Sequence, residues 1–219
     1  MMNNPTFIGI EAVIFDFDGT LVDSKPIWKE INKLFLAQLN LPYPSGLEQE
    51  LEGKSYLEIA EYFITRFNLS QSPESIIAYW NQLNFNVFLK EMQFKKGAKE
   101  LLEKLKNYNY KLGIASSNSV ELIDSFLKRS CKQKYFTSIR TPCEGIRSKP
   151  YPDLYQYVAL DLDVIPSKCL VFEDSLNGIL AGNRAGMRTC SVYDDSASHD
   201  IQKIMKKADF SISDFRDLV

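Results

Sequence analysis

The segment AVIFDFDGTLVDS, Ala12 to Ser24, bears on fold and chemistry at once. Its apolar start, Ala12 to Phe15, reads as a buried β-strand. The run ends in two aspartates, Asp16 and Asp18, followed by Gly19 and Thr20. Residues two apart on a strand face the same side, so both carboxylates address one spot beyond the strand end. Gly19 lets the chain turn sharply, and Thr20 can fix that turn by hydrogen bonding. An isolated pair of this kind can be a mere strand-ending turn, so the rest of the chain has to decide.

Further strand candidates are YKLGIAS (110–116), FTSIR (136–140), KCLVFED (168–174), RTCSVY (188–193) and a short DFSI (209–212). Amphipathic helical stretches separate several of them. In AKELLEKLKNY, for example, Leu101, Leu102 and Leu105 mark an apolar face. Strands alternating with helices predict an α/β fold, a Rossmann-like parallel sheet with helices on both faces. The stretch 25–92 departs from this pattern. WKEINKLFLAQL, SYLEIAEYFITRF and PESIIAYWNQLNFNVFLKEM are all helical in character. The expected organisation is a catalytic core of residues 1–24 and 93–219, with an inserted all-helical cap over 25–92. Trp28, Trp80 and the phenylalanines of that stretch are expected to fill the cap's own core.

The 219 residues are 45% hydrophobic and 25% charged, with a formal net charge of −2. That balance gives no reason to expect nucleic acid or an anionic membrane surface as partner. The N-terminus lacks a basic stretch followed by an apolar one, and no apolar run approaches the roughly 18 residues of a membrane span. A cytoplasmic protein is expected. Cys131, Cys143, Cys169 and Cys190 form no CxxC pair, which reads as reduced thiols. The only histidine is His199, read as a surface residue, so a zinc site is not indicated.

Ligands of open parallel sheets bind outside the carboxyl ends of the strands. Those ends carry Asp16 and Asp18, then Ser116, Ser117 and Asn118, then Glu173 and Asp174, while the loop RSKPYPD adds Lys149. Several carboxylates in one cleft require a cation, and oxygen ligands without histidine or thiolate point to Mg2+. Hydroxyls and a lysine beside such a site suit a phosphate, so phosphoryl transfer is indicated. GxxxxGK[ST], GxGxxG and GxSxG are all absent. An aspartate nucleophile remains.

FDFDGTLVDS, SSNS, KPYPD and VFEDSLNGILAGNRAGM, in that order, resemble the haloacid dehalogenase superfamily. More narrowly, they resemble its branch of phosphatases and phosphoglucomutases with a small helical cap. The resemblance implies that Asp16 attacks phosphorus and binds Mg2+ through its other oxygen. It implies that Asp18 is general acid, then base, and a metal ligand through its backbone carbonyl. Ser116, with Ser117 and Asn118, would bind the transferring phosphoryl group. Lys149 would link that group to the nucleophile. Asp174 would bind the metal, and Glu173 would be a second metal-site acid, directly or through water. Glu173 and Asp174 can also cap the helix that follows. Dehalogenase activity is disfavoured, because that branch replaces the second aspartate and Asp18 is present.

The turn LEGKSYLEI resembles the substrate-specificity loop of this branch, with Gly53, Lys54, Ser55 and Tyr56. β-Phosphoglucomutases place lysine before that glycine and arginine three residues after it, where this chain has Glu52 and Tyr56. They also place histidine ten residues after the general acid, where this chain has Trp28. The expectation is a Mg2+-dependent phosphatase for a small sugar, polyol or nucleoside phosphate, acting as a monomer or weak dimer. The alternatives are a sugar-phosphate mutase and, in another class, a non-catalytic phosphometabolite-binding or regulatory protein.

Overall fold

The structure is a computed structural model and describes residues 4–51, 54–83, 89–142, 145–194 and 201–219. Its centre is the strand just discussed, β1 (Ala12–Phe15). The other strands are β2 (Lys111–Ala115), β3 (Ser138–Arg140), β4 (Cys169–Glu173), β5 (Arg188–Val192) and β6 (Phe210–Ile212). They form one six-stranded sheet in the order β3–β2–β1–β4–β5–β6. Every neighbouring pair is parallel.

Both faces of β1 are buried, which is why its sequence is continuously apolar rather than alternating. The alternation survives in where the side chains go. Val13 and Phe15 join Leu112, Ile114, Leu170 and Phe172 on one face. That face is covered by α5 (Ala98–Asn107) and α6 (Val120–Arg129), through leucines such as Leu102 and Leu122. Ala12 and Ile14 pack the other way, with Val171, against Leu154 and Val158 of α7 (Asp153–Asp161) and Ala181 of α8 (Leu176–Arg184). Phe15 stacks on Phe172 with ring centroids 5.2 Å apart. A last helix, α9 (Ile201–Lys207), precedes the edge strand β6.

Between β1 and β2 lie α1 (Lys25–Gln38), α2 (Leu47–Leu51), α3 (Tyr56–Phe67) and α4 (Pro73–Leu83), the inserted helical cap. Their own centre is aromatic. Trp80 meets Phe35 and Phe63 at 5.8 and 5.5 Å, mostly edge to face. Helix α1 starts three residues earlier than the pattern from Trp28 suggests, because Pro26 is well suited to a first helical turn. The helical reading of 73–92 holds over α4 as far as Leu83, and residues 84–88 lie outside the described residues. Residues 89–91 form a turn. Their surroundings explain it: the Arg129 guanidinium donates to the carbonyls of Lys90 and Met92, and Asp23 N–H donates to Gln93. Those carbonyls serve the core rather than a helix. Among the described residues, no helix is long and apolar enough to cross a membrane.

Candidate active site

After β1 the chain builds β2 and β3 on one side, then crosses back to build β4, β5 and β6 on the other. The strand order reverses at β1, so the crevice beyond its carboxyl end is the natural ligand site. Phe15 pairs with Ile114 on one side and Phe172 on the other. Asp16, Ser116 and Glu173 therefore leave the sheet along one edge. A cleft of ≈ 1510 Å³ opens there. Its floor includes Asp16, Asp18, Ser116, Lys149 and Asp174, and its cap side includes Trp28, Asn32, Lys54 and Tyr56.

Lys149 organises the floor. Its Nζ donates to Oδ1 of Asp16 and Oε1 of Glu173, each at 2.6 Å. Tyr155 of α7 donates its hydroxyl to the same Glu173 oxygen at 3.0 Å. The other Glu173 oxygen accepts from the backbone N–H of Asp174 and Ser175 and from the Ser175 hydroxyl, at 2.9–3.0 Å. Gly178, in the first turn of α8, makes room for this carboxylate, since a Cβ there would collide with it. Ser175 is also the N-cap of α8, accepting from Gly178 N–H. The capping role considered for Glu173 and Asp174 thus falls to Ser175, a short hydroxyl in the favoured position.

These contacts separate the carboxylates electrically. Burial pushes the Asp16 carboxyl well above its ordinary value, with Glu173 and Asp174 adding to the shift and Lys149 opposing it. Burial also raises Asp174, again with help from Glu173 and against Lys25. Glu173 moves the other way. Burial alone would raise it, but Lys149, Ser175 and the backbone amides together hold it below the ordinary value. Lys149 stays firmly protonated: burial would lower it, and the charges of Asp16 and Glu173 more than offset that.

Asp18 is half-buried and ringed by donors. Ser24 Oγ and Trp28 Nε1 donate to its Oδ1 at 2.6 and 2.9 Å, and Asn118 Nδ2 donates to its Oδ2 at 2.8 Å. Ser24 stands before α1 without capping it, because its hydroxyl is spent on Asp18. Asn118 is itself pinned: its N–H donates to Ser116 Oγ, and its Oδ1 accepts from Ser119 N–H. Ser116 is buried and Ser117 is half-buried in the same turn. Thr20 fixes the turn after β1 by donating to Oδ1 of Asp174 at 2.9 Å. Gly19, at φ +80°, passes so close that any Cβ would strike Lys25 and Asp174.

The cap-side candidates are spread more widely. Tyr56 lies edge-on to Trp28, with centroids 5.0 Å apart. Ser55 closes a capping box at the start of α3, accepting from Glu58 N–H while its own N–H donates to Glu58 Oε2. Lys54 lines the cleft with its Nζ 5.8 Å from the Tyr62 ring centre. Gly53, Cys143 and His199 lie outside the described residues.

Further residues also enter the site. Trp28, read as cap filling and as standing where mutases carry histidine, spends its indole N–H on Asp18. Lys25 pairs with Asp174 and Asp194, and Tyr155 holds Glu173. The DSK run straight after the aspartate motif was the available signal for Lys25. Nothing local marks Tyr155.

One carboxylate oxygen from each of Asp16, Glu173 and Asp174 falls within 4.8 Å of the other two, and all three residues are buried. Hard oxygen donors gathered this way, with two of the three carboxyls raised by burial and mutual repulsion, fit a divalent cation of the Mg2+ type. The oxygens of Glu173 are already engaged by protein donors, so Asp16 and Asp174 are the better placed ligands.

Residues 13–192 match the haloacid dehalogenase-like hydrolase family. The chain belongs to that family. Among the curated relatives of this haloacid dehalogenase-like hydrolase is a phosphorylated carbohydrates phosphatase of Thermotoga maritima, 30% identical over 81% of this chain and 82% of that protein. Another is a β-phosphoglucomutase of Bacillus subtilis, 29% identical over 81% of each chain. The crystal structure of CbbY from Rhodobacter sphaeroides superposes with a TM-score of 0.84 over 95% of this chain and 96% of its own, at 22% identity. That likeness is one of fold. The chain is a phosphoric monoester hydrolase of the haloacid dehalogenase type.

Proposed function

We propose that this hydrolase removes phosphate from a small phosphorylated metabolite, a sugar, polyol or nucleoside phosphate, through an aspartyl-phosphate on Asp16. The observation that carries the reading is Lys149 Nζ held between Asp16 and Glu173 at 2.6 Å from each. A fixed ammonium beside a carboxylate nucleophile offsets the charge of an incoming phosphoryl group. Lys149 steadies the Asp16 carboxylate through Oδ1, so that one of its oxygens would attack phosphorus while the other would face the metal. Asp18 gives the leaving alcohol its proton, then takes one from the water that cleaves the acyl phosphate. The Ser116 hydroxyl, with Ser117 beside it, receives the phosphoryl oxygens, while Asn118 holds Ser116 and Asp18 in place. Asp16, Asp174 and the Asp18 carbonyl, with Glu173 behind them, would hold Mg2+, which would supply charge neutralisation at the phosphoryl group.

In this reading residues 25–92 act as the cap that closes over the core and excludes water. The substrate class is supported by the polar groups on the cap side of the cleft, buried Asn32 and the Lys29–Glu48 pair, which suit a hydroxylated metabolite. It is also supported by the relative that acts on phosphorylated carbohydrates. Hydrolysis is preferred to mutase chemistry because Trp28 and Tyr56 replace the histidine and arginine of mutases. A non-catalytic role is disfavoured by the presence of Asp16, Asp18 and Lys149 together. The free thiols of Cys131, Cys169 and Cys190 accord with a cytoplasmic setting.

The test is phosphate release from a panel of sugar, polyol and nucleoside phosphates, with Mg2+ and with EDTA, alongside Asp16→Asn. Metal-dependent release that Asp16→Asn abolishes is expected. Isomerisation of β-glucose 1-phosphate without release would replace the phosphatase by a mutase. Wild-type turnover in Asp16→Asn would sink the mechanism.

A further inference from the structure

Lys25 is the first residue of α1, where the chain leaves the sheet for the inserted helices. Its side chain turns back into the floor of the cleft. Nζ lies against Oδ2 of Asp174 and 3.3 Å from Oδ1 of Asp194. Both carboxylates are buried, at 3% and 7% exposure. Asp194 also pairs with Lys95. The second Asp174 oxygen is occupied by the Thr20 hydroxyl, so Oδ2 is the oxygen that remains for a cation.

That oxygen therefore has two claimants. In the absence of metal, the Lys25 ammonium keeps a buried carboxylate paired, which a buried charge requires. With Mg2+ on Asp174, the same ammonium would stand a few ångströms from a divalent cation, an arrangement with a strong repulsive cost in a buried site. Asp194 offers the lysine another carboxylate within reach.

We propose that Lys25 is the resident counter-ion of the metal site, holding Asp174 until Mg2+ arrives and then passing to Asp194. This rests on the metal reading given under Proposed function. The lysine thereby lowers the affinity for the metal while protecting the metal-free fold. Because Lys25 opens the helix that also brings Trp28 onto Asp18, metal loading acts at the root of that helix.

The test is isothermal titration calorimetry of MgCl2 into the full chain stripped of metal, for wild type, Lys25→Met, Asp194→Asn and the double variant. Lys25→Met is expected to bind Mg2+ about tenfold more tightly, as removal of a competing charge at close range predicts. Its melting temperature in EDTA should be below that of the wild type and should rise more on adding Mg2+. Lys25→Gln, which keeps most of the side chain's length, carries the same expectation should the methionine variant fold poorly. Asp194→Asn should weaken Mg2+ binding more in the presence of Lys25 than in its absence, since only then is a carboxylate needed to receive the lysine. Equal effects in both backgrounds would overturn the transfer to Asp194. Unchanged or weaker binding by Lys25→Met and Lys25→Gln, with the wild type binding normally, would overturn the proposal and leave the metal reading standing. No Mg2+ binding by any of the proteins would overturn the metal reading and the proposal together.

Discussion

Trp28 donates its indole N–H to Oδ1 of Asp18 at 2.9 Å, so a residue of the inserted helices grips the core carboxylate proposed for acid–base work. The indole is a donor only. It can orient the carboxylate but cannot take up the proton that Asp18 is proposed to handle. Trp28→Phe deletes the donor and keeps an aromatic ring beside Tyr56. We expect kcat to fall about tenfold, the loss of roughly 1.4 kcal/mol of orientation, with KM changing less. Steady-state kinetics on the best substrate decide it. An unchanged kcat would mean that Ser24 and Asn118 suffice to hold Asp18.

Lys149 neutralises two buried carboxylates at once. Lys149→Met should therefore cost more than catalysis. Breaking a buried pair from one side destabilises by about 3–5 kcal/mol, and urea denaturation in EDTA should show a loss in that range. A loss below about 1 kcal/mol would indicate that the carboxylates take up protons instead of remaining charged and unpaired.

Gly178 offers a test in which two effects oppose each other. Alanine in a helix interior normally gains up to about 1 kcal/mol over glycine. Here its Cβ would enter the space of the Glu173 carboxylate. Overpacking of that kind costs about 1–3 kcal/mol, and Glu173 has no free direction to move, held as it is by Lys149, Tyr155 and Ser175. Gly178→Ala should thus lower both stability and activity. A more stable, fully active variant would show the carboxylate to be less fixed than described.

The described cysteines should differ sharply in reactivity. Cys131 is exposed, whereas Cys169 and Cys190 are buried, with burial pushing their thiols up to about 11 and about 12. The thiolate is the reactive form. Raising the pH from about 7 to about 9 should leave Cys169 and Cys190 unlabelled by a maleimide in the native protein, because both still lie below their ionisation. Among these three, peptide mapping should find Cys131 modified first. Rapid native labelling of Cys190 would contradict its packing in the sheet.

The fold was legible because its signals are local. Runs such as Val13–Phe15 and Leu170–Phe172 are apolar throughout, as strands covered on both faces must be, and Leu101, Leu102 and Leu105 mark a helix by spacing alone. The floor of the cleft followed from asking what sits at strand ends. Lys149 required its motif as well, since a lysine in a loop has no period. The contributions of Trp28, Lys25 and Tyr155 were not legible for a physical reason. An aromatic residue on a helix satisfies the pattern for core filling wherever its N–H points, and a lysine at a helix start is ordinarily solvated. What each of them touches is decided by the packing of α1 and α7 against other elements.

The bonds that tie the first strand to the rest of the site span long stretches of chain: 100 residues from Asp18 to Asn118, 133 from Asp16 to Lys149 and 154 from Thr20 to Asp174. During synthesis the proposed nucleophile Asp16 emerges well before Asn118, Lys149 and Asp174, the groups that complete the site. Contacts of such range form late in folding, after shorter loops have closed. On the proposed mechanism, a chain still growing on the ribosome carries Asp16 without the partners it needs. Recovery of turnover during refolding should coincide with completion of the whole sheet, which makes the enzyme's own activity a reporter of its native state.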